Sequence, residues 1–171
     1  MGAGDLSAAL WQERRQLELL LFRLETQRLH LTAGNIEWLS FTASEVESVL
    51  DRLRFEALAR NVESAAVAAE WGLPAQATLI ELIAAAPPGA WPDVLRDHLE
   101  GLRALLIRLE DAAAASERMI LGLELPAGTG DPAAMVEQLT MAGNVERALS
   151  ITRRAAQPLL MQYLGDDANS H

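Results

Sequence analysis

The fold of this chain is indicated most clearly by residues 92–123, whose sequence is PDVLRDHLEGLRALLIRLEDAAAASERMILGL. From Leu95 onward, apolar or small residues recur at alternating steps of four and three, which places them on one stripe of an α-helix. Pro92 suits the first turn of a helix, and the acidic Asp93 complements the positive end of the helix dipole. We therefore predict one long amphipathic helix from Pro92 to about Leu125.

Two further long helices are predicted upstream from the same spacing. The first has Asp5 as its N-cap and ends before Gly34, because glycine suits the position that follows a helix. The second begins after Asn35, a favoured N-cap residue, and continues to about Trp71. The apolar seam of the first helix contains two polar residues, Glu13 and Gln27.

Shorter helices follow the second and third long ones. Residues 78–86 have an amphipathic pattern, and the prolines after them end this helix. Another helix should begin at Asp131, a favoured N-cap, and end at Gly143. Asn144 should cap a last helix, which Pro158 kinks or splits because proline removes a backbone donor. The sequence therefore predicts an all-α fold, an antiparallel bundle of three long helices with short connecting and C-terminal helices.

Length and composition favour a single domain. The chain has 171 residues, which is enough to bury one core, and it contains no low-complexity linker. Apolar residues make up 50% of it but aromatic ones only 5%, so leucine and alanine dominate, as in helix–helix packing. We expect one domain over residues 1–171, with a core bundle at 5–125, a helical arm at 131–165 that is able to move, and a disordered tail at 166–171.

Composition also excludes several classes of function. There is no cysteine, which excludes disulfides, thiol chemistry and cysteine-rich zinc modules. All 14 basic residues are arginine, so Schiff-base and Walker-type phosphate chemistry are excluded as well. The net charge of −10 makes nucleic acid and anionic membranes poor partners. Without a secretory signal or an uncharged apolar run of about 18 residues, the protein is expected in the cytoplasm, without membrane insertion.

The titratable residues show no arrangement typical of catalysis. His30, His98 and His171 do not occur in the Glu-x-x-His or His-x-x-x-His spacing of helical metal sites, and His98 is interpreted as a packed histidine. Neighbouring carboxylates such as Glu45 and Glu47 are interpreted as surface charge. We therefore expect no enzyme activity, no catalytic residue, no metal site and no cofactor.

With these classes of function excluded, the remaining one is the binding of another protein through an apolar surface. The C-terminal third carries three of the five methionines and the only tyrosine. Flexible methionine side chains suit a surface that adapts to a partner helix, although ordinary core filling explains them equally well. Four aromatic residues near helix ends are interpreted as core residues: Trp11, Trp38, Trp71 and Trp91.

Three short runs carry a family resemblance: LWQERRQLELLLFRLE at residues 10–25, AGNIEWL at 33–39 and EVE at 45–47. Together they resemble FlgN-type flagellar export chaperones, particularly actinobacterial ones, and the exclusive use of arginine agrees. In that family a glycine-containing step separates a leucine-rich first helix from a second, and a third long helix packs back. The resemblance covers roughly 120 residues, a length ordinary for one domain.

The resemblance implies a function for the C-terminal third. A chaperone of this type binds the C-terminal helical segments of hook-filament junction proteins (flagellar hook-associated proteins) in the cytoplasm and delivers them to the export apparatus. The candidate binding surface combines the apolar residues with weak heptad continuity: Met135, Val136, Leu139, Val145, Leu149, Leu160 and Tyr163. The alternative is a structural coiled-coil protein, in which the same seams close a homo-oligomer.

Overall fold

The structure is a computed structural model that describes residues 2–124, 130–158 and 160–165. All regular structure within these ranges is helical, with no strand. The helices are α1 (Ala3–Thr32), α2 (Leu39–Glu70), α3 (Leu79–Ala85), α4 (Trp91–Leu121), α5 (Pro132–Ala155) and α6 (Met161–Leu164). The predicted all-α fold, with its three long helices and a short connecting helix, is confirmed. The predicted tail at 166–171, with His171, lies outside the described residues.

The end of α1 is fixed by glycine, as predicted. Gly34 has a φ of 80°, a left-handed conformation that residues with a side chain rarely adopt. The Asn35 N–H donates to the His30 carbonyl at 2.9 Å, and the Gly34 N–H donates to the Leu31 carbonyl at 3.1 Å, which together form a Schellman motif. Asn35 then leads into the 3-10 turn Ile36–Trp38, but its side chain makes no capping hydrogen bond.

Side chains cap α3 and α5 but not α1. Thr78 Oγ1 accepts a hydrogen bond from the Glu81 N–H at 3.2 Å. Asp131 Oδ1 accepts one at 3.2 Å from the backbone N–H two residues later, so the predicted cap is confirmed. α1 begins at Ala3, and Asp5 therefore lies in its first turn, where its charge still complements the helix dipole.

The C-terminal helix α5 is one continuous element of 24 residues, so the predicted end at Gly143 and restart at Asn144 are wrong. Glycine inside a helix costs only about 1 kcal/mol relative to alanine, and packing further along α5 outweighs that cost. This packing buries Ala148, Ile151, Thr152 and Ala155. The predicted effect of Pro158 is confirmed, because α5 stops at Ala155 and α6 begins only at Met161.

The four longest helices form a bundle in which α1 and α5 each contact both α2 and α4. The antiparallel pairing of α1 with α2 is seen in two contacts, Glu13 with Arg60 and Gln27 with Thr42. The parallel pairing of α1 with α4 is seen in two others, Ser7 with His98 and Leu24 with Ser116. The connection from α2 to α4 contains α3, which packs on α4. None of the helices in the described ranges combines the length and apolar character needed to cross a bilayer.

The core is mostly leucine, but the tryptophans do not all belong to it. Trp11 is 45% exposed and Trp38 is 46% exposed, so their predicted core positions are wrong. The Arg14 guanidinium lies 4.2 Å from the centre of the Trp11 ring, whose edge meets the buried His98 at 5.0 Å, and Trp38 packs against the exposed Phe41. A large aromatic side chain can thus be stabilised at the edge of the bundle without deep burial.

Candidate protein-binding surface

The first half of α5 carries apolar side chains that the bundle does not cover. All the buried residues of this helix lie in its second half, from Ala148 onward. In the first half, Met135 is 53% exposed, Val136 is 64% exposed and Leu139 is 72% exposed. We refer to residues 132–144 as the α5 arm. Three large apolar side chains within five residues make the arm a candidate protein-binding surface.

The position of the arm follows from where α5 meets α2. Arg147 donates to Ser44 Oγ at 3.1 Å, close to the start of α2. α5 runs in the same direction as α2, because Gln157 further along lines a cavity together with Leu50. At a rise of about 1.5 Å per residue, Pro132 lies about 22 Å before Arg147, whereas α2 begins only about 7 Å before Ser44. The arm therefore extends about 15 Å, or roughly three turns, beyond the start of α2.

Charged contacts fix the second half of α5 to its neighbours. Glu47 of α2 accepts hydrogen bonds from Arg147 at 2.9 Å and from Arg154 at 3.1 Å. The hydrogen bond from Arg147 is the main cause that holds the pKa of Glu47 below its usual range, and Arg154 acts in the same direction. On the other side, Arg153 donates to Glu117 of α4 at 2.9 Å. Glu47, interpreted from the sequence as plain surface charge, is thus shared between two arginines of α5.

This attachment of α5 was missed at the sequence level, although a signal for it exists. Arg147 and Arg154 are seven residues apart, which places them on the same face of a continuous helix. Both arginines also lie on the last helix predicted after Asn144, so their spacing was readable despite the incorrect break at Gly143. The acceptor, Glu47, could not be found from spacing, since it lies on another helix.

A buried polar contact aligns α5 with α1. Gln27 Nε2 donates to Thr152 Oγ1 at 3.0 Å, and both residues are fully buried. Thr42 Oγ1 of α2 lies 3.4 Å from Gln27 Oε1. Three helices therefore meet at one amide, and sliding α5 along the bundle would leave these buried groups without partners.

The seven residues of the predicted surface do not share one face. Val145 and Leu149 are half-buried and pack against the core, at the level where α5 joins the bundle. Leu160 is 2% exposed and belongs to the core. The Tyr163 ring is half-buried beneath the Arg60 guanidinium, 4.2 Å from its centre. The structure thus leaves the arm residues in solvent and places the two residues after Pro158 inside.

Tyr163 closes over a buried ion pair. Arg60 Nη2 donates to Glu13 Oε1 at 3.1 Å, and the two side chains are 2% and 3% exposed. Burial raises the pKa of Glu13, an effect that outweighs the charge of Arg60. Burial also raises the pKa of Tyr163 to about 12, against the opposing effects of Ser64 and Arg60. These contacts attach the segment after Pro158 to α1 and α2.

The packing around that segment is incomplete. A cavity of about 460 Å³ lies on its α2 side, lined by Leu53 and Ala57 among others. A second cavity of about 640 Å³ lies on its α4 side, next to Leu106 and Ile107. Two cavities therefore flank the chain after Pro158, one beside α2 and one beside α4.

The histidines and carboxylates of the described residues are spread over the bundle rather than gathered at a metal-binding cluster. Within residues 2–124, 130–158 and 160–165, no cluster of three or more histidines and carboxylates could hold a metal ion. His98 is 1% exposed, and its Nε2 lies 2.9 Å from Ser7 Oγ. Burial, with the neighbouring charge of Arg14, lowers the pKa of His98. The interpretation of His98 as a packed histidine is confirmed.

A helical bundle with an exposed apolar arm has the architecture of a module that binds other proteins. The chain belongs to the FlgN family: residues 1–122 match the family model described as FlgN protein. FlgN proteins are a family of flagellar export chaperones. The resemblance seen in the sequence is thereby confirmed. Neither the curated proteins nor the solved structures compared with the chain gave a match.

Proposed function

We propose that the protein is a cytoplasmic chaperone that binds the C-terminal helical segments of hook-filament junction proteins and delivers them to the export apparatus. The single observation that carries this proposal is the α5 arm, whose large apolar side chains stand exposed at the end of a packed bundle. Family membership supports the general role in flagellar export. The client class is our proposal, since the matched residues 1–122 do not include the arm.

Helix-in-groove recognition provides the physical basis. An amphipathic client helix has an apolar face that would otherwise associate prematurely, and it can be covered by anchors at i, i+3, i+4 and i+7. Met135 and Leu139 are four residues apart on the arm, and Val136 lies beside them. Val145 and Leu149 lie further along α5 and pack against the core of the bundle. We assign Leu160 and Tyr163, which are packed against the bundle, to holding the last segment in place.

The assignment of the arm is tested by alanine substitution. Leu139→Ala together with Met135→Ala should weaken binding of a client segment by at least tenfold, as expected for anchor residues. Ile107→Ala is a matched control, because Ile107 is 62% exposed but lies on α4, away from the arm. Calorimetry measures the client affinity of the wild type, the double variant and the Ile107→Ala control. Unchanged client affinity in the double variant, with helicity intact, would remove the arm from the site.

A structural coiled coil, the alternative from the sequence, receives less support from the packing. The apolar seam of α4 is covered within a single chain by α1 and α5. A seam that is already buried is not free to close a homo-oligomer. The seams of α1 and α4 therefore favour the chaperone over the coiled-coil protein.

A further inference from the structure

α2 continues well beyond the point where α5 ends. α5 stops at Ala155, and the preceding Arg154 pairs with Glu47 of α2. From Glu47, α2 continues to Glu70, a distance of about 34 Å at the rise of an α-helix. Along part of this length, residues 160–165 pack beside α2 in place of α5. We refer to these residues as the α6 segment.

The α6 segment docks with the anchor spacing of a bound helix. Leu160 is 2% exposed and Leu164 is 3% exposed. Between them, the Tyr163 ring is half-buried against the Arg60 guanidinium. The Leu164 N–H donates to the Leu160 carbonyl at 3.1 Å, which closes one helical turn. Burial at i, i+3 and i+4 is the pattern of a helix held in a groove, so the chain places a short ligand of this type in its own bundle.

The fit of the α6 segment is imperfect. The cavities of about 460 Å³ and 640 Å³ flank it on its two sides. The Tyr163 hydroxyl is buried, but within the described residues it has no partner in hydrogen-bond geometry, although Ser64 lies near it. Unfilled space and an unpaired buried hydroxyl both reduce the stability gained by docking. A helix that fills this space better can therefore displace the α6 segment.

The two cavities are richer in arginine than the rest of the chain. The whole chain has 24 acidic residues and 14 arginines. Among the described residues, the cavity linings contain four arginines and two glutamates: Arg54, Arg103, Arg153, Arg154, Glu13 and Glu110. An arginine has five N–H donors, so one that is already paired within the chain can still bind a second carboxylate. A helix with carboxylates beside its apolar anchors complements this lining.

We propose that the α6 segment occupies a binding site for an amphipathic helix of another protein, which carries carboxylates beside its apolar anchors and binds by displacing the segment. Asp166 and Asp167 directly follow the segment in the sequence, so the present occupant also combines apolar and acidic residues. The site is separate from the α5 arm, because Leu139 lies about 24 Å before Ala155 along the helix. The proposal goes beyond the client surface and does not depend on it.

The first test uses two designed helical peptides that differ only in charge. Both have leucine at i, i+3, i+4 and i+7, and the positions beside these anchors carry glutamate in one peptide and arginine in the other. Fluorescence anisotropy of the labelled peptides with the full chain measures their affinity. The glutamate peptide should bind at least tenfold more tightly. The net charge of −10 alone would favour the opposite order, so this result would be specific to the site.

The second test opens the site without removing an anchor. Gly165 has a φ of 88°, and a β-carbon there would lie 2.9 Å from Thr78 Oγ1, so Gly165→Ala should disfavour docking of the α6 segment. A larger fraction of molecules then has a free site, and the affinity for the glutamate peptide should rise about fivefold or more. Leu164→Ala, which removes an anchor, should act in the same direction. Gly143→Ala is the matched control, because it lies in open space on α5 and should keep the wild-type affinity.

The third test follows the α6 segment itself. The Leu164 N–H bonds to the Leu160 carbonyl, and the Gly165 N–H bonds to the Met161 carbonyl at 3.3 Å. Displacement breaks this turn, so the amides at positions 164 and 165 should exchange with solvent faster in the glutamate-peptide complex than in the free chain. Hydrogen exchange followed by nuclear magnetic resonance measures both rates.

Four results would overturn the proposal. Binding of the glutamate peptide no tighter than that of the arginine peptide would contradict the charge of the partner. Unchanged affinity in a variant whose amides at 164 and 165 exchange faster would place the peptide elsewhere. Slow exchange of these amides in the saturated complex would show that the segment stays docked. Loss of peptide binding in the Met135→Ala, Leu139→Ala double variant would assign the peptide to the arm. The arm variants test client binding separately, so failure of one proposal leaves the other standing.

Discussion

At the scale of single residues, the most informative group is the ion pair beneath Tyr163. Glu13 occupies a seam position of α1, where leucine would be the ordinary choice, and its charge is held by Arg60 of α2. Glu13 Oε2 and Arg60 Nε have no hydrogen-bond partner, so each ion is only partly compensated for its loss of water. The pair therefore adds less to stability than its short distance suggests, but either charge alone would cost more.

The raised pKa of Glu13 predicts how the stability of the fold changes with pH. Below its unfolded pKa of 4.5, Glu13 is protonated in both states and burial costs little. As pH rises through the higher folded pKa, the folded state has to carry a buried charge, and its stability falls relative to a variant that cannot ionise. The free energy of unfolding of wild type minus that of Glu13→Gln should thus decrease with rising pH. Denaturant titrations on both proteins between about pH 4 and pH 8 measure it; an increase with pH would contradict the assignment.

Tyr163 reports on the docking of the last segment, because it is the only tyrosine in the chain. Its pKa should be about 12 in the folded protein, against 10.0 for a solvated phenol. Between these two values the unfolded state ionises first, so stability should fall as pH rises through that interval. Ultraviolet titration of the tyrosine, with helicity followed in parallel, measures the pKa directly. A midpoint near the solvated value in a helical protein would mean that residues 160–165 are undocked.

At the scale of elements, the sequence predicted the features that depend on residue spacing and local backbone chemistry. The seam of α4, the glycine at the end of α1 and the break at Pro158 follow from spacing and backbone chemistry alone. The continuity of α5 did not follow, because Gly143 looks like a helix end until the later packing is known. The exposure of Trp11 and of the arm depends on which helix packs against them. The spacing of apolar residues along one chain does not show which helices become neighbours.

Gly143 and Gly34 should respond in opposite ways to alanine. Gly143 lies inside α5 with open space around its α-carbon, so Gly143→Ala should stabilise the protein by about 0.5–1 kcal/mol. Gly34 has a φ of 80°, and Gly34→Ala should destabilise it by about 1–2 kcal/mol. Denaturant unfolding of both variants checks this pair. Destabilisation by Gly143→Ala would indicate a helix end at that position, as the sequence alone had suggested.

At the scale of the whole molecule, the family fold and the proposed client surface occupy different parts of the chain. The family match ends at residue 122, and it contains α1 to α4. α5 completes the bundle with its second half and offers its first half to solvent. Of the seven residues proposed from the sequence, the three on the arm are the exposed ones. Weak heptad continuity predicted an apolar surface in this region, but it could not separate exposed residues from residues that close the core.

The most direct test of the chaperone function is calorimetry of the purified protein with the C-terminal segments of the hook-filament junction proteins of the same genome. We expect saturable binding of one segment per chain, accompanied by a negative change in heat capacity, because apolar surface is buried. The α5 arm double variant should weaken this binding, and the Ile107→Ala control should retain it. Absence of saturable binding to every segment, by a protein of unchanged helicity, would contradict the assignment of these clients.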